Sequence, residues 1–240
     1  MAGNYQGAIA LLNKLGISTV DGLESLLNTL MILHVHQPIS GNKIASLSCS
    51  GGEASLIADL AEQFNFRFPK LSSKQKRKLK SALGDLVHLS NPLDYQTYVW
   101  NDQVKLTVAF KTMMEETYDF LFIIMDLPKQ GRCSSDSWHP AIAALKEAKK
   151  IAKCPVGLIT SLEENMPEKF AKDLIKHSII PLTGLENSLA AVKALQNVSI
   201  QWKIKSTPSI IWERWPNEKS QVIDEYQSKK VLSRIGINVP

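Results

Sequence analysis

From Gly41 onward, short apolar runs alternate with amphipathic stretches, and this alternation limits the fold more than any other feature of the chain. A parallel strand covered on both faces reads as a continuous apolar run, and the next parallel strand is reached through a crossover that is usually a helix. The runs at 43–48, 85–89, 120–126, 155–160 and 178–181 are the expected strands, and 53–63, 103–116, 137–152, 167–176 and 184–195 the expected helices. Ala54, Ile57, Ala58 and Ala61 repeat at helical spacing, as do Ala141, Ala144, Leu145 and Ala148. Each such stripe is small and apolar, suited to lie on a sheet. The reading is an α/β fold with a doubly wound, mostly parallel, five-stranded flavodoxin-like sheet and helices on both faces.

Two further helical patterns, 5–15 and 20–33, precede the alternation and cannot begin it, so residues 1–40 read as a helical connection and 41–200 as the domain. A passage rich in Trp and Pro, 201–217, has no clean period and reads as a linker. Residues 218–240 resume a loose helical pattern through Val222, Ile223, Tyr226, Leu232 and Ile235, as the start of a further domain would.

Three cysteines, Cys49, Cys133 and Cys154, cannot all pair and show no C-x-x-C spacing, which fits thiols in a reducing cytoplasm. The apolar runs are far shorter than the roughly 20 residues that span a bilayer, and Met1 is not followed by a signal-like segment. A cytoplasmic protein with no membrane partner is expected. Much of the net charge of +5 lies in one stretch, KLSSKQKRKLK at 70–80. It has no aromatic residue for base stacking, so it reads as a solvated face before an anion patch, and nucleic acid is not the expected partner.

Ligands of an open parallel sheet bind beyond the carboxyl ends of its strands. The most informative turn there is Ser48-Cys49-Ser50-Gly51-Gly52-Glu53. Glycines admit a ligand close to the backbone, hydroxyls add donors, and the N–H groups of the next helix face the same point, a suitable place for phosphate. Glu53 is unfavourable there for an anion unless it points away. The same residues also suit a tight strand-to-helix turn with Ser50 as N-cap. Asn91-Pro92-Leu93-Asp94 reads as a structural Asx-type turn whose Asn91 and Asp94 reach the same cleft. Asp126, Lys129, Arg132 and Cys133 form a mixed-charge loop. No metal site is expected from His34, His36, His88, His139 and His177, and Cys133 with His139 lacks an orienting third group.

The stretch GNKIASLSCSGGEASLIADLAEQ resembles a segment of the nucleoside-diphosphate-forming acyl-CoA synthetases, relatives of succinyl-CoA synthetase, and NPLDY is similar to their N-P-[VL]-D element. The likeness extends over nearly the whole chain. Upstream it places a phosphohistidine loop before Met1, so that no catalytic residue lies here. Downstream, Glu225, Ser228, Lys229, Leu232, Gly236, Val239 and Pro240 match the opening of an ATP-grasp domain.

The resemblance implies the second CoA-ligase domain of an acid–thiol ligase using CoA, ATP and Mg. ATP phosphorylates the histidine, the carboxylic acid takes the phosphoryl group, and CoA thiolysis releases acyl-CoA. This domain would help hold the phosphoryl group through Ser48, Ser50, Gly51, Gly52 and Glu53. Its partners would be the other domains of the synthetase and a small carboxylic acid, compatibly with a homo-oligomer, and the fragment alone would be inactive. Cys49 stands where the family has Asn, and Glu53-Ala54 replace Pro-Gly. The alternatives are a flavodoxin-fold module that binds a nucleotide or phosphate without catalysis, and a basic accessory protein for nucleic acid.

Overall fold

The computed structural model describes residues 4–129, 131–204 and 222–239, in two units, Met1–Thr207 and Pro208–Pro240. In the first unit β1 (Ile44–Ser48), β2 (Leu93–Asp94), β3 (Phe120–Ile124), β4 (Val156–Thr160) and β5 (Ile180–Thr183) form one sheet in the order β2-β1-β3-β4-β5. Every pairing is parallel, with Ile44 opposite Phe120, Leu121 opposite Val156 and Gly157 opposite Ile180. This is the flavodoxin-like strand order, and the expected fold class holds.

The helices of this unit are α1 (Tyr5–Lys14), α2 (Leu23–Val35), α3 (Gly51–Gln63), α4 (Ser73–Leu83), α5 (Gln103–Met114), α6 (His139–Lys149), α7 (Glu168–Lys176) and α8 (Leu185–Trp202). β1, β3 and β4 are buried throughout, and side-chain alternation splits them between two cores. Ala45, Leu47, Leu121, Ile123, Val156 and Leu158 pack under α4, α5 and α6. Ile44, Phe120, Phe122, Ile159, Ile180 and Leu182 pack under α3 and α8. The sheet is therefore covered on both faces.

One reading needs correction. Residues 85–89 are not a strand: the second strand is Leu93–Asp94. Of that stretch, Val87 is buried but Leu86 is 86% exposed, so it cannot supply the two-sided burial that a strand here requires. The edge of β1 that an earlier strand would have paired is met instead by the Asn91 side chain. Its Oδ1 accepts from Ser46 N at 3.2 Å, and its Nδ2 donates to the carbonyls of Ile44 at 3.1 Å and Pro69 at 3.2 Å.

The lysine-rich stretch, expected as a solvated face and absent from the expected helices, lies on the regular helix α4. Ser72 and Gln75 close a capping box at its start, and Leu79, Ala82 and Leu83 are buried beneath it. Gln75 itself is buried and donates to the Tyr118 hydroxyl at 3.1 Å. The basic residues face outward, with Lys78 paired to Glu115 and Lys80 to Asp85.

α2 turns its polar side to the sheet. Ser25, Asn28 and Ile32 are its buried residues, while Leu23, Leu27 and Leu30 are more than half exposed. The Asn28 side chain accepts from Thr183 N at 3.2 Å and donates to Thr183 O at 2.8 Å, and Ser25 donates to Asn187 at 3.0 Å. Directed hydrogen bonds seat this helix together with Met31, Ile32 and Val35, which pack on the second core.

In the second unit α9 (Glu225–Arg234) is N-capped by Asp224, and none of its residues is buried. Of the linker 201–217, Gln201 and Trp202 end α8, and the residues from 205 on lie outside the described ones.

Gly157, in the middle of β4, gives a test of this packing. A Cβ there would lie 2.8 Å from a Phe120 ring atom and 2.9 Å from Leu182 Cδ1. Gly157→Val is expected to lower stability by about 1–3 kcal/mol through overpacking, read as a reduced urea midpoint; an unchanged midpoint would show that the Phe120 ring is free to move aside.

Candidate ligand cleft at the carboxyl edge of the sheet

β1 ends at Ser48, and after Cys49 and Ser50 the chain enters α3, whose first two residues are Gly51 and Gly52. Neither glycine has a positive φ, so this turn does not depend on glycine's conformational freedom. Both are exposed, and a Cβ on Gly52 would meet only Ser50 Oγ, at 3.5 Å. Their value is bare backbone at a helix N-terminus, where the first N–H groups have no partner within the helix.

The hydroxyls behave differently from one another. Ser48 is buried and donates to Ser50 O at 2.9 Å, which commits it to the turn. Ser50 is the N-cap by position but makes no side-chain capping bond, leaving its hydroxyl available.

Asp94 lies opposite Ser48 in the sheet register. Its Oδ2 is 3.3 Å from the point a Cβ on Gly51 would occupy, so the carboxylate sits against the positive end of α3. Both its oxygens are engaged with Gln96, accepting from N at 2.9 Å and from Nε2 at 2.7 Å. They hold Gln96 at a φ of 65°, a conformation that a side chain-bearing residue adopts at a cost. Asn91 does not reach the cleft, its carboxamide being spent on β1 and Pro69.

Beyond these turns opens a cleft of about 340 Å³, lined by Cys49 and Glu53 at the start of α3, Trp100 and Asn101 after β2, and Asp126 and Trp138 after β3. Glu53 does not point away. It borders the cleft, with Oε2 buried and unpartnered. Asp126 accepts from Ser161 N at 2.7 Å through Oδ1, and its backbone carbonyl accepts from Trp138 Nε1 at 2.7 Å. Trp138 meets Trp100 at 88° with centroids 5.9 Å apart. Trp100 in turn lies parallel to Tyr95 at 6.4 Å, and Tyr95 meets Phe110 edge-on at 5.3 Å. A chain of rings thus runs from the core beneath α5 to the cleft.

The electrostatics are acidic. Burial, then the charges of Asp126 and Asp94, push the Glu53 carboxyl up to about 7. Burial and Glu53 push the Cys49 thiol up to about 11, so it is protonated and weakly nucleophilic at neutral pH. Tyr95 is fully buried, its hydroxyl has no partner, and burial followed by Cys49, Glu53 and Asp94 raises its pKa well above the ordinary value. Among the described residues, none of those lining the cleft is Lys, Arg or His.

Trp100, Asn101 and Trp138 carry no signal in isolation. They become legible only once β2 is placed at Leu93–Asp94, which puts Trp100 just past a strand end. Cys133 and His139 border a different, larger cavity of about 870 Å³ between α6 and α7, and no hydrogen bond joins them among the described residues. No group of three or more His, Cys, Asp or Glu suited to a metal ion occurs among the described residues, and no described helix is long and apolar enough to cross a membrane.

No family model and no curated protein sequence matches the chain. Among solved structures, PH0766 from Pyrococcus horikoshii OT3 is similar over 85% of this chain and 46% of its own, with a TM-score of 0.67 and 22% identity. A dinucleotide forming acetyl-coenzyme A synthetase 1 of Ca. Korarchaeum cryptofilum, in its apo form, is similar over 84% of this chain and 43% of its own, with a TM-score of 0.63 and 16% identity. The same synthetase in complex with phosphate and ADP gives 84%, 42%, 0.64 and 16% in the same order. The chain spans less than half the length of these structures, and at such identities the likeness is one of fold.

Glu53 sets a measurable pH dependence. Its folded value lies above the ordinary 4.5, so the folded state holds the proton more tightly, and stability falls as pH rises from about 4.5 to about 7. Glu53→Gln is expected to remove that fall and to gain stability relative to wild type in urea unfolding at about pH 8 but not at about pH 4. A carbon-13 titration placing the Glu53 carboxyl near 4.5 would refute the assignment.

Proposed function

We propose that the chain serves as a CoA-ligase-type, flavodoxin-like domain of a nucleoside-diphosphate-forming acyl-CoA synthetase, and that its Ser50-Gly51-Gly52 turn faces the transferring phosphoryl group. One observation carries the reading. The two sequence elements that resemble this family, 41–63 and 91–95, meet at one point, where Ser48 pairs with Asp94 and Asp94 Oδ2 touches the space beside Gly51. The similarity in fold to an acetyl-coenzyme A synthetase that has been seen with phosphate and ADP supports it. CoA, ATP with Mg, the phosphorylated histidine and the ATP-grasp body would be supplied by other domains in the cytoplasm, and a small carboxylic acid would be the substrate.

The bare N-terminus of α3 and the free Ser50 hydroxyl fit a phosphoryl group. Glu53, Asp94 and Asp126 oppose one unless their charge is offset, because a dianion beside carboxylates is repelled. Residues of this chain would therefore orient the group and exclude water, and no covalent step is assigned to them. The rival reading, a phosphate-binding module without catalysis, predicts the same contacts without turnover.

The test is the complete synthetase assayed with ATP, Mg and CoA over a panel of carboxylic acids. Acyl-CoA and a phosphohistidine are expected from it, and neither from this chain alone. In that enzyme Gly52→Val should cost on the order of 10²-fold in turnover, because the added side chain keeps the phosphoryl group away from the backbone N–H donors at the start of α3. The space beside Gly52 is open, so folding stability should change little. Wild-type turnover in the variant would remove the turn from the phosphoryl site, and failure to form acyl-CoA from any acid would overturn the family reading.

A further inference from the structure

We infer that the cleft walled by Trp100 and Trp138 and bordered by Glu53 and Asp126 binds an organic cation of the guanidinium or alkylammonium kind. The volume, about 340 Å³, suits a small group or the end of a long side chain. Two indoles at right angles form a corner of the sort that holds cations against aromatic faces. Both carboxylates border that corner, and among the described residues no basic side chain of the lining neutralises them.

An unmet hydrogen-bonding need points to a ligand independently of the charge. Glu53, which lines the cleft, has its Oε2 buried without a donor. Buried polar atoms are rarely left unpaired, and a guanidinium carries five N–H donors with which to meet such acceptors. The walls are held in place before any ligand arrives. Trp138 is tied to the Asp126 carbonyl, and Trp100 is stacked on a Tyr95 that is itself locked in the core.

This inference rests on the cleft's own residues and not on the synthetase reading. It also bears on that reading, since a cation here would offset the acids beside the α3 N-terminus and make the turn more receptive to an anion. The shared chemistry has two sources, a free metabolite or an arginine or lysine side chain from another domain.

The probe is methylguanidinium, titrated into the chain while the indole N–H signals of Trp100 and Trp138, assigned through Trp→Phe variants, are followed by nuclear magnetic resonance. Saturable shifts of both signals in the millimolar range are expected. Glu53→Gln should weaken binding about tenfold through loss of a charge-assisted pair, and Trp100→Ala roughly threefold to tenfold. Because Trp100 supports the core, Asn101→Lys is the second variant: Asn101 is exposed on the cleft rim, and a lysine there should fill the site and abolish binding in a folded protein. Agmatine and a blocked Gly-Arg-Gly peptide, run as separate arms, distinguish a free metabolite from a side chain by which of them binds more tightly. Equal response to urea or inorganic phosphate, no saturation, or unchanged binding in Glu53→Gln would overturn the inference.

Discussion

Two-sided burial of the sheet is the constraint on which the rest of this molecule depends. A strand covered by helices on both faces has little room for polar side chains in its middle, which is why Phe120–Ile124 is apolar throughout, why β1 admits only the small Ser46 there, and why β1, β3 and β4 have no exposed residue. Polar groups are thereby pushed to the strand ends and the turns beyond them. Ser48, Asp94, Asp126 and Thr160 all stand at or just past carboxyl ends, where the cleft lies, and Ser46 is the one polar side chain in the middle of β1, β3 or β4.

The same constraint explains what was legible. Runs such as 120–126 and 155–160 announce buried strands by composition, and the Ala-rich stripes of α3 and α6 announce sheet-facing helices. β2 escaped because it is two residues long, and because the asparagine before it performs pairing that a strand would otherwise perform. α4 escaped because its lysines dominate its composition, although Ser72 and Gln75 spell a capping box and Leu79, Ala82 and Leu83 a narrow apolar seam. At the site, Ser50, Gly51 and Gly52 lie where the strand-to-helix rule places them. Trp100 and Trp138 come together only through the tertiary fold, across a sequence separation that no local pattern bridges.

The acids beside α3 change the meaning of a phosphate-like turn. Asp94 is spent on Gln96 and benefits from the helix end, whereas Glu53 gains no such partner and instead holds its proton to about 7. A helix N-terminus attracts anions in general, but here the protein has placed its own carboxylates in that field. The turn and the cleft are best regarded as one electrostatic unit, whose preference for charge is set by whatever balances Glu53.

The two asparagine carboxamides have a consequence of another kind. Asn28 engages both backbone groups of Thr183 on the outer side of β5. Pro181, in the same strand, has no N–H to offer. Asn91 does the corresponding work along β1, where the two-residue β2 leaves the strand's early rungs unmatched. Open sheet edges are the usual templates for unwanted strand addition and for aggregation. By terminating its ladder with side chains, this domain resists extension by a foreign strand and presents helices and loops, rather than strand edges, to its neighbours.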